Sequence, residues 1–188
     1  MTRKEEIRHK ALEIMKKHGF NGLTMRLLAK EIGIEAPSIY NHIASKDELL
    51  EIVCFDLASR FESAVLEVND IYFNAPEKLF MLVKLHIEIL CDDLNASSVF
   101  MHDWRYLKDL KKKVFIQQRN NYELQIREII RLGIEEGFFN EVDTRFATIT
   151  LLSSLNSVVE WYKPSGALSP EQVAVQLNQF VQTGLRKH

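Results

Sequence analysis

The chain has few of the features that hold small exported proteins together. Its 188 residues include only two cysteines, Cys54 and Cys91, both inside apolar helical runs without metal-type partner spacing. That excludes a disulfide scaffold and a zinc module. Both read as small core residues, with a redox switch as the alternative. Seven glycines and four prolines exclude a collagen-like or low-complexity chain, while 46% hydrophobic and 27% charged residues are ordinary globular values. No apolar run approaches the roughly 20 residues that a membrane span needs. The opening MTRKEEIRHK is too charged for a signal peptide or an anchor, so a cytoplasmic protein with no membrane partner is expected. Net charge is also small, −2, which excludes a protein coated in positive charge. The charge is unevenly divided. Residues 1–50 hold nine Lys or Arg against seven Asp or Glu, and residues 51–188 hold fifteen against nineteen, a mildly basic start on an acidic remainder. No segment alternates long enough to argue for a sheet and no internal repeat is visible, so the chain reads as all-α and long enough to bury a substantial core.

The most informative stretch is Leu23 to Lys46, LTMRLLAKEIGIEAPSIYNHIASK. Thr24 is a good N-cap, and Met25, Leu28, Ala29 and Ile32 follow on one face at helical spacing. Gly33 supplies the positive φ that ends a helix, and Ile34 folds back over the corner. A second helix starts at Glu35-Ala36-Pro37-Ser38, with Pro37 in the first turn, where its missing N–H costs nothing. Two short helices and a tight turn make a helix-turn-helix. Beyond the inward Ile39, the outward groups Tyr40, Asn41 and His42 can donate hydrogen bonds to phosphate or reach base edges. Ser45 and Glu48 form a capping box for the next helix, which puts Lys46 at a helix N-terminus suited to a phosphate. On these features alone, a purely structural helical hairpin is an equal alternative.

From Ala11 through Leu50 the order A-L-E-I-M, H-G-F, L-T-M-R-L-L-A, I-G-I, P-S-I-Y-N-H-I and S-K-D-E-L-L resembles the N-terminal domain of the TetR family of repressors. Where that family often has an aromatic pair followed by His and Phe, this chain has Tyr40-Asn41-His42-Ile43, so sequence preference can differ while the docking mode stays. The resemblance implies a three-helix DNA-binding head, residues 1–46, on a larger helical bundle for ligand binding and dimerisation, residues 47–188. Within the head, Thr24, Arg26, Tyr40, His42 and Lys46 are the expected phosphate contacts, and Glu35, Ala36, Ser38 and Asn41 the exposed positions nearest bases.

The periodicity predicts a first helix from about Thr2 to Lys17, stopped by Gly19, with Ile7, Ala11, Ile14, Met15 and His18 along one stripe and Phe20 and Leu23 plugging the corner. A long helix runs from Ser45 to about Asn69, the natural rod between the two parts. Asn74-Ala75-Pro76-Glu77 opens a helix to about Asp93 that is apolar nearly all round, from Leu79 and Phe80 to Leu90. Asn95-Ala96-Ser97-Ser98 reads as a break before short helical pieces around Val99 to Leu107. Further helices follow at about Lys112 to Glu135, with Phe115, Tyr122, Ile126, Ile129 and Ile130 inward and Gln117, Gln118, Arg127 and Glu128 outward, and at Thr144 to Lys163 behind an Asp143 cap. Ser169-Pro170-Glu171 starts the last, with Val173, Leu177, Phe180 and Val181 on one side. The final two helices carry apolar stripes that little remaining chain can cover. A homodimer through a four-helix contact is therefore expected, and with it a palindromic double-stranded operator.

Motifs for catalysis are weak. Glu6-x-x-His9 stands alone, and no His-Glu-x-x-His, Cys-x-x-Cys, phosphate loop or nucleophile elbow occurs, so neither a cofactor nor a metal is expected. His86, and His102 beside Asp103, are readable as metal ligands or as a base with its orienter, but a hydrogen-bonded core histidine is the plainer reading. A pocket is better supported. Phe80, Val83, His86, Trp104, Phe115, Arg119 and Tyr122 are large, mainly apolar groups with a few polar atoms, although each could equally be plain core. Tyr122, Arg127-Glu128-Ile129-Ile130, Glu136-Gly137-Phe138-Phe139, Asp143, Asn156 and Glu160 through Ser169 resemble TetR-family members that sense acyl-CoA thioesters and control fatty-acid or sterol breakdown. That resemblance implies an acyl-CoA as effector, with Arg105 or Arg119 at the CoA head. The competing expectation is a helical enzyme or carrier whose N-terminal hairpin is structural.

Overall fold

A computed structural model describes residues 2–186. Its helices are α1 (Arg3–Gly22), α2 (Met25–Ile32), α3 (Ala36–Tyr40), α4 (Lys46–Asp70), α5 (Ala75–Asp92), α6 (Leu94–His102), a 3-10 turn (Trp104–Tyr106), α7 (Asp109–Glu135), α8 (Thr144–Asn156), α9 (Val158–Trp161) and α10 (Pro170–Leu185). Among the described residues the only extended pairing is one bridge, Phe139 with Arg186. The chain forms two compact units. Unit one is the chain through Leu57 together with Asp93–Ile116, and unit two is Ala58–Asp92 together with the chain from Gln117.

Unit one is built on α1, which opens with a capping box: Thr2 Oγ1 accepts from Glu5 N, and the Glu5 carboxylate accepts from Thr2 N. Ile7, Ala11, Ile14 and Met15 are buried as expected, but His18 is exposed. Gly19, at φ 70° and ψ 171°, breaks the helix, and one more turn follows to Gly22, so the buried position falls to Phe20 instead. Thr24 Oγ1 accepts from Leu27 N at 3.1 Å, fixing the start of α2. Gly33, at φ 73°, ends it, with Ile34 N donating to Ala29 O at 3.0 Å.

The segment read as a break at Asn95-Ala96-Ser97-Ser98 is instead the first half of α6. Asp93 is its N-cap, accepting from Asn95 N and Ala96 N, and the small side chains of Ala96, Ser97 and Ser98 are buried in the helix that packs on α1. Phe115 is buried among Phe55, Phe100 and Trp104, with ring centroids 6.1, 5.3 and 5.9 Å away.

In unit two, Asn74 and Glu77 cap α5 reciprocally, Glu77 N to Asn74 Oδ1 at 3.0 Å and Asn74 N to Glu77 Oε2 at 2.9 Å. Leu79, Val83, Ile126, Ile130, Leu155 and Val173 belong to one continuous core. Helix α5 is not buried on every side, because Phe80 is 37% exposed. On α7, Gln118 and Arg127 are half-buried rather than fully outward, Arg127 bonding to Glu123 at 2.9 Å.

The predicted helix from Thr144 to Lys163 is interrupted. Ser157 stands between α8 and α9, with its hydroxyl donating to Ser154 O at 2.8 Å. Phe180 also departs from expectation at 76% exposed. With about 100° of turn per residue, the buried side of α10 centres on Ala174 and Leu185, and Phe180 falls beyond its edge.

Candidate nucleic-acid interface and effector contacts

Along α3 only Ile39 is buried; Glu35, Ser38, Tyr40 and Asn41 are exposed, and Ala36 and His42 half-buried. The helix is shorter than predicted, ending at Tyr40, so Asn41 and His42 lie in the turn that follows, where His42 N donates to Ile39 O at 2.8 Å. Thr24 and Arg26 are exposed at the start of α2. Because the Thr24 oxygen already accepts from Leu27 N, its hydroxyl hydrogen is left for an outside acceptor.

Lys46 begins α4 as expected but is not a free cation. Its Nζ donates to Phe20 O at 3.2 Å and lies 4.3 Å from the centroid of the Phe20 ring. An ammonium has three donors, so two remain. Ser45 Oγ accepts from Glu48 N at 3.1 Å, but the Glu48 carboxylate returns to Ala44 N at 2.7 Å instead of to Ser45 N.

Phe20 also ties this head to the rest of unit one. Its N–H donates to Asp103 Oδ1 at 3.3 Å, and its ring stacks on Tyr106 at 4.9 Å. Asn21 Nδ2 donates to the Tyr106 hydroxyl at 3.2 Å. Burial of Asp103 raises its carboxyl above the usual range, against the lowering effect of the Phe20 N–H.

The residues read as effector contacts fall into two groups. In unit two, His86 is 2% exposed, with Nε2 3.1 Å from Asn156 Oδ1 and Nδ1 2.9 Å from the Tyr122 hydroxyl. An amide oxygen only accepts, so Nε2 carries the proton and Nδ1 accepts from Tyr122. Burial lowers the imidazole from 6.5 to about 4, and the same cause raises the Tyr122 phenol. Phe61 completes the cluster, with ring centroids 4.6 Å from His86 and 5.4 Å from Tyr122. Val83 is buried in this unit, Arg119 is half-buried and Phe80 is exposed. In unit one, Arg105 lies 4.8 Å from the Trp104 ring, which is in turn near Phe115.

Sequence reasoning did not find Asn156 or Phe61 as partners of His86. Asn156 stands 70 positions from His86, and no local pattern links them. His102 Nδ1 lies 2.9 Å from Ser98 O, and the described residues contain no cluster of three His, Cys, Asp or Glu arranged for a metal. Burial also raises the Cys91 thiol to about 11, leaving it a poor nucleophile. No described helix is long and apolar enough to cross a membrane.

A second surface lies on α8 and α10. Phe146, Ala147, Thr150, Phe180, Val181 and Gly184 are among the groups lining an apolar groove of about 700 Å³, and Phe146 and Phe180 are 72% and 76% exposed.

A three-helix head presenting an exposed α3 behind a glycine turn is the structure of a helix-turn-helix regulator. The chain belongs to the TetR family of bacterial regulatory proteins, DNA-binding regulators of transcription: the family described as bacterial regulatory proteins, tetR family, matches residues 7–53, and the tetracyclin repressor-like C-terminal domain matches residues 73–185. It is similar to the HTH-type transcriptional repressor KstR2 of Mycolicibacterium smegmatis, 26% identical over 98% of this chain and 91% of that one. The class D tetracycline repressor of Escherichia coli is 37% identical over 57 residues, 30% of this chain and 26% of its own. Among solved structures, the ketosteroid transcriptional regulator KstR2 of Mycobacterium tuberculosis shares the fold at a TM-score of 0.93 and 22% identity, over 100% of this chain and 96% of that one. AibR, solved with isovaleryl coenzyme A and operator DNA, shares it at 0.79 and 22%, over 95% and 97%.

Proposed function

We propose that this protein is a homodimeric repressor acting in the cytoplasm, released from a palindromic operator by a small apolar effector of the acyl-CoA class. The observation that carries the reading is the α3 surface: one buried anchor, Ile39, with its polar neighbours outward. Residues 1–46 would be the DNA-binding part, with Thr24, Arg26, Tyr40, His42 and Lys46 on phosphates and Glu35, Ala36, Ser38 and Asn41 toward bases. Residues 47–188 would bind effector and partner subunit.

The exposed apolar groove of α8 and α10 supports a two-fold contact, since Phe146 and Phe180 are costly to leave in water. Effector contacts are proposed at Phe80, Val83, His86, Arg119 and Tyr122 in unit two and at Trp104, Arg105 and Phe115 in unit one. An acyl chain suits the apolar groups, and the arginines suit phosphate. A relative named as a repressor, and a fold neighbour solved with an acyl-CoA and operator DNA, support the same choice. Release requires the effector to bind the DNA-incompetent conformation more tightly, by about 1 to 3 kcal/mol for a typical coupling.

Selection of bound duplexes from a random pool tests the reading. A recovered palindrome that acyl-CoA thioesters release supports it; no enrichment, or turnover of the thioester, refutes it.

A further inference from the structure

The compact unit that holds the DNA-reading helices draws its positive charge from elsewhere in the chain. Through Leu57 it carries nine Lys or Arg and nine Asp or Glu, whereas Asp93–Ile116 carries five cations against three carboxylates. All five cations, Arg105, Lys108, Lys111, Lys112 and Lys113, lie in nine consecutive residues spanning the 3-10 turn and the start of α7. Cations in the first turn of a helix oppose its dipole, so this placement costs stability and makes the local potential strongly positive.

One acid, Asp109 in the first turn of α7, lies within these nine residues and leaves them net +4. Lys111 lies 3.4 Å from Glu51, and Lys112 donates to Arg105 O at 2.7 Å, but Lys108 and Lys113 are exposed and pair with no carboxylate among the described residues. The corner is also fastened to the head through Tyr106, whose hydroxyl accepts from Asn21 Nδ2. Tyr106 stacks on Phe20, the residue that receives the Lys46 ammonium.

We propose that the Arg105–Lys113 corner is a second contact surface for the DNA phosphate backbone, reached through Lys108 and Lys113 and acting beyond the helix-turn-helix. The proposal rests on the reading of the head as a DNA binder. Phosphate neutralisation appears as a salt slope, about 0.9 for each phosphate met, and a sequence-independent contact appears on any duplex.

The test is titration of the full-length protein with a mixed-sequence duplex several helical turns long, over a series of KCl concentrations. Lys108→Gln with Lys113→Gln should weaken binding at low salt and reduce the slope by about 0.9 per lysine in each subunit. The charge-keeping pair Lys108→Arg and Lys113→Arg should retain the original slope, as should Arg145→Gln in unit two. Coenzyme A binding, measured by calorimetry on the same proteins, distinguishes a phosphate-bearing effector from DNA. A normal slope in the unaltered protein that the glutamine pair keeps overturns the proposal, and so does a pair that loses only coenzyme A. Absence of salt-dependent binding by the unaltered protein overturns the reading of the head, and this proposal with it.

Discussion

His86 makes a quantitative claim about acid. Its ring is buried, with both nitrogens occupied by neutral-state hydrogen bonds, and burial holds it at about 4 against an ordinary 6.5. In the unfolded chain the same imidazole takes a proton as pH falls through 6.5, whereas in the fold it stays neutral until about 4. The unfolded state therefore binds more protons across that window, and stability is lost as pH falls. The contribution is complete above 6.5. At about 1.4 kcal/mol for each tenfold, the loss reaches about 2 kcal/mol by pH 5 and about 3 kcal/mol near pH 4. Other groups titrate in the same range, so the measurement is a difference between the native protein and His86→Gln, which keeps hydrogen-bonding capacity without the titration. Urea unfolding at a series of pH values should show the native protein's advantage over the variant shrinking by those amounts. A constant difference between pH 7 and pH 4, or a His86 ring resonance titrating near 6.5, would refute the argument.

Gly133→Ala places a methyl 2.2 Å from Phe139 Cδ2 and 3.0 Å from Ala75 Cβ. The helix gains about 1 kcal/mol of propensity but is overpacked by about 1 to 3 kcal/mol. Net destabilisation is expected in urea unfolding, with relief when Phe139→Leu is added; a more stable single variant would contradict the packing. Thr24→Ala should remove about 0.5 to 2 kcal/mol of capping and accelerate exchange of the Leu27 amide, as read by NMR. Phe180→Asp should give monomers in sedimentation if α8 and α10 form the subunit contact, and unchanged dimers would direct attention to another face. Tyr40→Phe should weaken binding to every duplex alike; loss confined to one operator variant would assign Tyr40 to base reading.

The legible part of the fold was the part specified by residues three or four apart. Thr24, Asn74, Asp143 and Ser169 were readable as caps because each accepts from an amide three positions ahead. Gly33 was readable because positive φ favours glycine. The head was legible in the same way, since an apolar stripe and a turn distinguish the buried Ile39 from its exposed neighbours. What escaped were choices made by distant partners. Asn95 through Ser98 have the composition of a loop, and it is burial against α1 that makes them helix. The break at Ser157 has no local signal either, since Thr148 and Ser154 make the same kind of hydroxyl-to-carbonyl bond within an unbroken α8. The His86 cluster joins residues from Phe61 to Asn156, and no periodicity encodes such a meeting.

The stacking of Phe20 on Tyr106, with Asp103 receiving the Phe20 amide, bears on any attempt to build chimeras. A recombinant that joins the first fifty residues to a foreign body would strip an aromatic face and orphan a buried donor in one cut. Transplanting the reader intact means carrying a second, discontinuous piece of polypeptide along with it.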